Sequence, residues 1–510
     1  MIFKYFIQRN NSIRLYHEVA SQKQKLPTIR VANTRVRRAN ELKRHHESTP
    51  RVSSYGNPNV RYEPFPFKVT EANKIECLKR KITPLYEIPY EEQLTSKEAF
   101  CRNALRLLGQ ELYKSGTPVR LDLKRLPCHV NSIVPSPQLT NYRNKDEFSI
   151  WRGFDGKTIT AGHMIFPLSK HGDTVSVEPD GCDVMKDETI KLVNIFNQFL
   201  REKAKLPVSY DLGAEGGWRR IIIRVNLDGD LMLIGVINPR TLRVREVLDE
   251  RDNFKEFMVK RCQEAGLRLT SLYYQPCPHN NCKHKDVPFE LLHGDKTILE
   301  SIGDFRIQIS PESFLHNSSM GAEVLYDTTR SMIEECFLRA DEGRSSSRRP
   351  IILDANCGAG LLSFNLASLA ELVVGIDNSP QSIDDAITNA KLNNITNIEF
   401  VNSSLEIVLG RILEKYNRQR SEMIVVCDTP NSGLHPNVID VLRHSRDLNK
   451  ILIITPKIDS SNVMDNLVRL CSKHRGKSIP PFAPILATPV DTCPHIESFQ
   501  TIIALERLPE

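Results

Sequence analysis

The stretch IILDANCGAG, residues 351–360, decides the fold of the C-terminal third of the chain. Its apolar start leads into Asp354 and then into Gly358 and Gly360, which let the backbone approach a ligand where the next helix begins. The next apolar run, LVVGID, ends at Asp377, where a carboxylate can accept both ribose hydroxyls of an adenosine. Together they predict a nucleotide-type cofactor loop, and the alternative is a glycine turn without a ligand.

Further short apolar segments continue this pattern towards the C-terminus. NIEFVN, MIVVCD and KILIIT are separated by stretches of helical length, which is typical of βαβ units around a buried parallel sheet. We therefore predict an α/β fold, with a doubly wound, Rossmann-like domain at residues 341–510.

The glycine loop also narrows the kind of cofactor. A dinucleotide-binding loop would place a third glycine at position 363, and the residue there is Ser363. The spacing from Asp354 through Gly358 to Gly360 instead resembles the first motif of class I methyltransferases. In those enzymes the acid at the strand end lies near the amino group of the donor.

The rest of the chain divides into three predicted parts. A basic, Pro- and Ser-containing segment covers residues 1–66, a helical lead-in covers 67–125, and an α+β region covers 126–340. In the last of these, Asp228-Gly229 between two apolar runs predicts a hairpin. DEGRSSSRRP, ending at Pro350, predicts a surface loop before the last domain.

The positive charge of the chain is concentrated near its N-terminus, and this pattern predicts where in the cell the protein is found. The net charge is +7, and the first 60 residues hold 12 Lys/Arg against 3 Asp/Glu. Basic residues there alternate with apolar ones, which predicts a mitochondrial transit peptide and a matrix protein, whereas a basic tail that contacts RNA is the alternative. No apolar run approaches the roughly 20 residues of a membrane span, and the 12 cysteines follow no disulfide framework.

A second loop, CDTPNSGLH from Cys427, falls at the carboxyl edge of the sheet, where such folds bind substrates. Together with ISPESFLHNSS before the domain, ITPLYEIPYEEQL, the NYRNK run at 141–145 and the closing VDTCPH, it resembles the RNA uracil-5-methyltransferases, closest to their mitochondrial branch. The resemblance implies S-adenosylmethionine as cofactor, an RNA-binding domain at 126–340, and a uridine of tRNA or rRNA as substrate. It adds His316 and Asp428 to the predicted cofactor site.

The family chemistry needs two groups that this chain lacks at the matching positions. A thiolate must add to C6 of uracil to make C5 nucleophilic, and a base must later remove the C5 proton. By the resemblance, Pro456 stands at the nucleophile position and Gln500 at the base position. Three further positions also depart from the family, namely His316, Ser318 and Asn431.

Several functions therefore remain open. One is a tRNA or rRNA methyltransferase that forms 5-methyluridine, and another is a catalytically inactive RNA-binding relative. Cys427 or Cys493 could replace the missing nucleophile, with Asp428 as a candidate catalytic residue or a helix cap. Methylation of an exocyclic amine is a weaker alternative. The cluster from Cys277 to His284 lacks zinc-knuckle spacing, so no metal is predicted.

Overall fold

The five apolar segments between residues 351 and 455 are neighbouring parallel strands that form one side of an eight-stranded sheet in this computed structural model. The structure describes residues 68–118, 121–123, 125–166, 174–209, 216–279, 287–338, 349–418, 421–473 and 479–509. The predicted transit peptide and linker, and most of the predicted surface loop before residue 350, lie outside these ranges. The α/β fold class is confirmed.

The C-terminal sheet has the order β1-β16-β17-β15-β14-β11-β12-β13, with β17 antiparallel to both of its neighbours. Its strands are β1 (His129–Val130), β11 (Ile351–Ala355), β12 (Leu372–Asp377), β13 (Ile398–Asn402), β14 (Met423–Asp428), β15 (Lys450–Thr455), β16 (Phe482–Val490) and β17 (Gln500–Arg507). The helices of the lead-in are α1 (Lys74–Ile82) and α2 (Tyr90–Lys114). The helices of the C-terminal domain are α5 (Ser319–Ile333), α6 (Leu361–Leu366), α7 (Pro380–Leu392), α8 (Leu405–Asn417), α9 (Pro436–His444) and α10 (Ser461–Cys471).

Alternating side chains of the central strands enter two different cores. Leu353 and Val425 belong to the core on one face of the sheet, whereas Ile352 and Ile424 belong to the core on the other. Helices cover both faces, which is why β11, β14 and β15 are continuous apolar runs rather than alternating ones.

The predicted lead-in helix exists as α2 and packs against the C-terminal domain. It contacts α10 and β16, and β1 follows it as the parallel edge strand beside β16. The structure therefore packs the predicted lead-in helix against the last domain, and it places β1, from the segment predicted as the α+β region, in that domain's sheet. The predicted domain boundaries remain predictions.

The central region is a seven-stranded sheet of order β4-β3-β2-β5-β6-β7-β8. Its elements are β2 (Lys145–Arg152), β3 (Ile159–Ile165), β4 (Val175–Val177), α3 (Asp187–Glu202), β5 (Gly217–Val225), β6 (Asp230–Asn238), α4 (Val244–Glu264), β7 (Arg268–Pro276) and β8 (Glu290–Gly294). The predicted hairpin is the antiparallel β5–β6 pair, and Gly229 in its turn has φ 83°. Trp218 and Phe254 are at the centre of its aromatic core.

A two-stranded hairpin, β9 (Ile298–Ile302) and β10 (Phe305–Ile309), connects this region to α5. Residues 310–318 run from β10 to the start of α5. Within the described ranges, no helix has the length and apolar character required to cross a bilayer.

Candidate functional site

The glycine loop between β11 and α6 has the backbone that the sequence predicts. Gly358 and Gly360 have φ values of 54° and 91°, in the left-handed region that favours glycine. A Cβ atom added to Gly360 would lie 2.7 Å from the ring of Phe364 and 3.1 Å from that of Phe400. The turn therefore depends on glycine both for its backbone conformation and for space.

Asp377, at the end of β12, holds this loop in place. Its Oδ2 accepts a hydrogen bond from the Gly358 amide at 3.1 Å, and its Oδ1 accepts one from the Ser379 amide at 2.8 Å. The carboxylate thus lies beside the glycine loop, as the spacing predicts. Its bonding to ribose hydroxyls stays a prediction, and each oxygen retains a further lone pair for it.

Asp354, at the end of β11, is completely buried. The Ser363 hydroxyl donates a hydrogen bond to Oδ2. The serine that replaces the third glycine of a dinucleotide loop therefore fixes the orientation of the Asp354 carboxyl group. Burial raises the pKa of Asp354 to about 7, although the Ser363 bond opposes that effect. The other oxygen, Oδ1, has no hydrogen-bond partner among the described residues. A buried acceptor without a partner fits the amino group of a methyl donor.

Asp428 and His316 meet at the same place from distant parts of the chain. His316 Nε2 lies 3.5 Å from Asp428 Oδ2, and its ring makes edge contacts with Phe314 and Tyr326. Tyr326, on α5, was not predicted from the sequence. It lines the same cavity as Asp354 and Asp428. Burial and the charges of these two carboxylates raise the pKa of Tyr326 well above its ordinary value.

The proposed helix-capping role of Asp428 is wrong. Helix α9 begins at Pro436, and the side chain that caps it is His435, whose Nδ1 accepts from the Asn437 amide at 3.2 Å. The Asp428 side chain is therefore available to the site beside His316.

Asn356, which follows β11, lines two cavities. It has φ 68°, and its Nδ2 donates to the Asp428 carbonyl at 3.0 Å. The first cavity, of about 20 Å³, is lined by Asp354, Phe314 and Asp428, among others. The second, of about 90 Å³, is lined by residues that include Asn378, Ser403, Ser404 and Leu434. Asn356 and the residues that line the second cavity were not predicted as site residues, because no short sequence motif marks them as ligand-binding.

Pro456 and Gln500 lie at the ends of neighbouring antiparallel strands. Thr455, the last residue of β15, pairs with Thr501 of β17, so the next positions along each strand are Pro456 and Gln500. Gln500 is 7% exposed, and its Oε1 has no hydrogen-bond partner in the described part of the chain. The tertiary structure thus brings the two positions together, with neither a thiol nor a carboxylate at either one.

The two cysteines considered as replacements are poor nucleophiles. Cys427 is fully buried, and burial raises its pKa to about 12. Burial also raises the pKa of Cys493, in the loop after β16. A thiol with a raised pKa supplies little thiolate at neutral pH.

The Cys277–His284 cluster is only partly described, because residues 280–286 are outside the described ranges. Cys277 is buried, and its Sγ lies 3.7 Å from His279 Nδ1. Within the described residues, no group of three or more His, Cys, Asp or Glu side chains is placed to hold a metal.

Comparison with known proteins then gives the family. A model described as a methyltransferase domain matches residues 347–463. Human tRNA (uracil-5-)-methyltransferase homolog B is 30% identical over 439 residues, which cover 85% of this chain and 84% of the human protein. The chain belongs to the tRNA (uracil-5-)-methyltransferase family. The zebrafish (Danio rerio) homolog B is also 30% identical, with 85% of this chain and 87% of that protein covered.

A solved structure from Pyrococcus abyssi has the same fold as the chain described here. It is a tRNA (uracil-54, C5)-methyltransferase in complex with S-adenosyl-L-homocysteine, with a TM-score of 0.52, 19% identity, and 88% of this chain and 87% of that chain covered. The family resemblance and the Rossmann-like methyltransferase domain predicted from the sequence are confirmed. S-adenosylmethionine is the family's cofactor, as predicted from the glycine loop.

Proposed function

We propose that this protein binds S-adenosylmethionine and a tRNA or rRNA in the mitochondrial matrix without forming 5-methyluridine. The observation that carries the proposal is the pair Pro456 and Gln500 at the ends of β15 and β17. Proline has no nucleophilic side chain, and an amide does not remove a proton from carbon. The chain has the fold of the uracil-5-methyltransferases. By the resemblance, it lacks their nucleophilic thiol at position 456 and their carboxylate base at position 500.

Donor binding is supported by groups that fit the cofactor. Gly358 and Gly360 have the conformation of a ligand-binding turn, and Asp377 lies beside them. Asp354 has a buried oxygen that no described residue contacts with a hydrogen bond. These residues would hold the ribose and the amino group of the donor. The second cavity, beyond Asn356, suits the adenine ring.

RNA binding is supported by the family and by the charge of the chain. The relatives that match most of this chain have names describing tRNA uracil methylation. The first 60 residues are strongly basic, which favours contact with phosphates. The matrix location rests on the amphipathic basic pattern of the first 25 residues.

The test of catalysis is nucleoside mass spectrometry of mitochondrial tRNA and rRNA from cells with and without the protein. We expect the level of 5-methyluridine, and of every other methylated base, to be the same in both. A loss of 5-methyluridine would refute the proposal and show that another group acts as nucleophile. A loss of an N-methylated base would instead support methylation of an exocyclic amine.

The test of location is microscopy of the full chain fused to a fluorescent protein at its C-terminus. We expect mitochondrial fluorescence that is lost when Lys4, Arg9 and Arg14 are changed to Glu. Diffuse fluorescence of the unmodified fusion would contradict the matrix location and leave the basic segment as an RNA-contacting tail.

The second candidate function is active uridine C5 methylation, which family membership favours. It requires a thiol other than one at position 456, and Cys493 is the more exposed of the two candidates. If purified protein transfers a labelled methyl group to RNA, loss of that transfer in Cys493→Ser would identify the nucleophile.

A further inference from the structure

Residues 310–318, here called the donor-wall segment, connect β10 to α5 and form one side of the first cavity. Phe314 and Leu315 line that cavity, and His316 contacts Asp428 beside it. Phe314 is 60% exposed at its mouth. The position of this segment therefore decides how much room the donor has.

The C-terminal domain holds the beginning and the end of the segment. The hydroxyls of Ser310 and Ser313 both donate hydrogen bonds to the carboxylate of Asp385 on α7. At the other end, Ser318 caps α5 by accepting a hydrogen bond from the Gly321 amide at 2.9 Å. Neither set of bonds reaches His316.

The central region holds the middle of the segment, through Asn144. This residue immediately precedes β2 and is 4% exposed. Its Nδ2 donates to the His316 carbonyl at 2.9 Å and to the Ser319 hydroxyl at 2.9 Å, and its amide donates to the Asn317 carbonyl at 2.8 Å. Arg224 of β5 adds hydrogen bonds to the carbonyls of Pro311 and Ser313.

These bonds matter because the first cavity is narrow. About 20 Å³ is room for roughly one water molecule, and so for a group as small as the donor's amino group, which can fit beside Asp354 only if the wall keeps its distance from that residue. A small shift of the His316 backbone changes that distance and the contact between its imidazole and Asp428. The central domain thus determines the shape of a site whose other groups belong to the C-terminal domain.

We propose that Asn144 is a positioning residue through which the central domain sets the donor-wall segment, so that RNA and S-adenosylmethionine change one another's affinity. The coupling to RNA rests on the proposed function, because it requires RNA to bind the central domain. Asn144 lies in the NYRNK run, between Arg143, which bonds Asp146 at 2.6 Å, and Lys145. An RNA phosphate that drew either side chain would move the backbone that carries Asn144.

The first experiment measures S-adenosyl-L-homocysteine binding by calorimetry to the full chain and to Asn144→Asp. The substitution keeps the shape of the side chain and replaces its donor group with an acceptor facing the His316 carbonyl. Loss of a buried hydrogen bond typically weakens an equilibrium by about tenfold or more, and we expect that loss of affinity here.

The matched control is Asn197→Asp, on α3 of the same domain. Asn197 is 1% exposed, and its Nδ2 donates to the Ala161 carbonyl at 3.1 Å and to Glu178 at 3.2 Å. We expect Asn197→Asp to destabilise the fold about as much as Asn144→Asp does, and to leave the affinity for S-adenosyl-L-homocysteine unchanged. If both variants lose affinity equally, or neither does, Asn144 is a structural residue and the proposal is overturned. Should Asn144→Asp not fold, Asn144→Ala gives the same comparison with Asn197→Ala.

The second experiment measures the same affinity with and without an unmodified tRNA transcript. In the wild type the two ligands must alter each other's affinity by one common factor, because linkage is reciprocal. We expect that factor to approach one in Asn144→Asp and to persist in Asn197→Asp. A factor of one in the wild type overturns the coupling, whereas failure of the transcript to bind at all contradicts the proposed function and leaves the first experiment decisive for Asn144.

Discussion

Asp354 combines complete burial with one oxygen that has no partner among the described residues. Burial in a region of low polarity disfavours its charged form, and the neighbouring carboxylates Asp428 and Asp377 add to that effect. With a pKa of about 7, the Asp354 carboxyl is expected to be partly protonated near neutral pH. This acid makes the stability of the fold depend on pH.

Asp354→Asn should stabilise the protein at pH 8 and have little effect at pH 4. The pKa of Asp354 is raised in the folded state, to about 7 from 3.8. The contribution of the protonated Asp354 side chain to the free energy of unfolding is therefore fully present below about pH 4 and is lost as the pH rises to about 7. The difference in unfolding free energy at pH 8 is at most about 4 kcal/mol, since each pKa unit corresponds to about 1.4 kcal/mol.

The measurement is chemical denaturation of the wild type and the variant at pH 5, 6, 7 and 8. Ser363→Ala is the control, because it removes the hydrogen bond to Asp354 and leaves the titrating group in place. A stability difference between wild type and Asp354→Asn that stays constant over this range would contradict a raised pKa.

Pro456→Cys should give a covalent complex with RNA rather than turnover. The new thiolate adds to C6 of uracil, C5 takes the methyl group from the donor, and the C5 proton stays because Gln500 cannot remove it. We expect a labelled protein–RNA band under denaturing conditions. In Pro456→Cys/Gln500→Glu the carboxylate takes the C5 proton and the thiolate leaves C6, so we expect the band to be replaced by protein-free RNA that contains 5-methyluridine.

Pro456→Ser is the control for the nucleophile, and it should give no band. Absence of the band in Pro456→Cys, with tRNA and donor shown to bind, would mean that the target uridine does not reach β15. The alignment of Pro456 with the family's nucleophile would then be wrong.

At the scale of elements, helix α2 is fastened to the loop that precedes β17. Lys97 Nζ lies 2.8 Å from Asp491 Oδ1, and both side chains are almost completely buried. Tyr90 donates to Asp491 as well, and Gln93 accepts a hydrogen bond from the His495 amide at 2.9 Å. The helix thus orders the loop that leads to Gln500.

Lys97→Met should lower the free energy of unfolding by about 3–5 kcal/mol, because it leaves the Asp491 carboxylate buried without its cation. Lys97→Met/Asp491→Asn should lose clearly less than the sum of the two single variants. Denaturation followed by far-ultraviolet circular dichroism measures all three. Additive losses would show that the pair is not energetically coupled.

At the scale of the whole molecule, the positive charge is concentrated in the first 60 residues. They carry 12 Lys/Arg against 3 Asp/Glu, while the net charge of the entire chain is only +7. The remaining residues are therefore slightly acidic overall. We therefore expect the N-terminal segment to supply most of the long-range attraction to RNA.

Changing the run Arg35, Arg37, Arg38, Lys43 and Arg44 to Gln should weaken tRNA binding and flatten its dependence on salt. Each lost phosphate contact lowers the slope of log affinity against log salt by about 0.7–0.9. Binding to a tRNA transcript between 50 and 200 mM salt measures both effects.

The control exchanges Lys and Arg at the same five positions and so keeps the charge. It should retain the salt slope. If the Gln variant also retains it, the folded domains supply the phosphate contacts, and the basic segment serves import alone.

Local patterns in the sequence determined the strands, the glycine loop and its acid. β11, β12, β14 and β15 are apolar because two cores enclose them, and an apolar run is visible without a structure. Gly358, Gly360 and Asp377 lie close together because strand ends and short turns bring them there. Their spacing along the chain was therefore enough to predict the cofactor loop.

Only the tertiary structure decided which distant residues complete the site. Asn144 reaches the His316 carbonyl across 172 positions of sequence, and Tyr326 of helix α5 lines the same cavity as Asp428 at the end of β14. These contacts depend on how two sheets and the segment between them pack, and no periodicity records that packing. A single asparagine or tyrosine in a sequence is most often a solvated or core residue. Its role at the site becomes visible only when burial and hydrogen bonding are known.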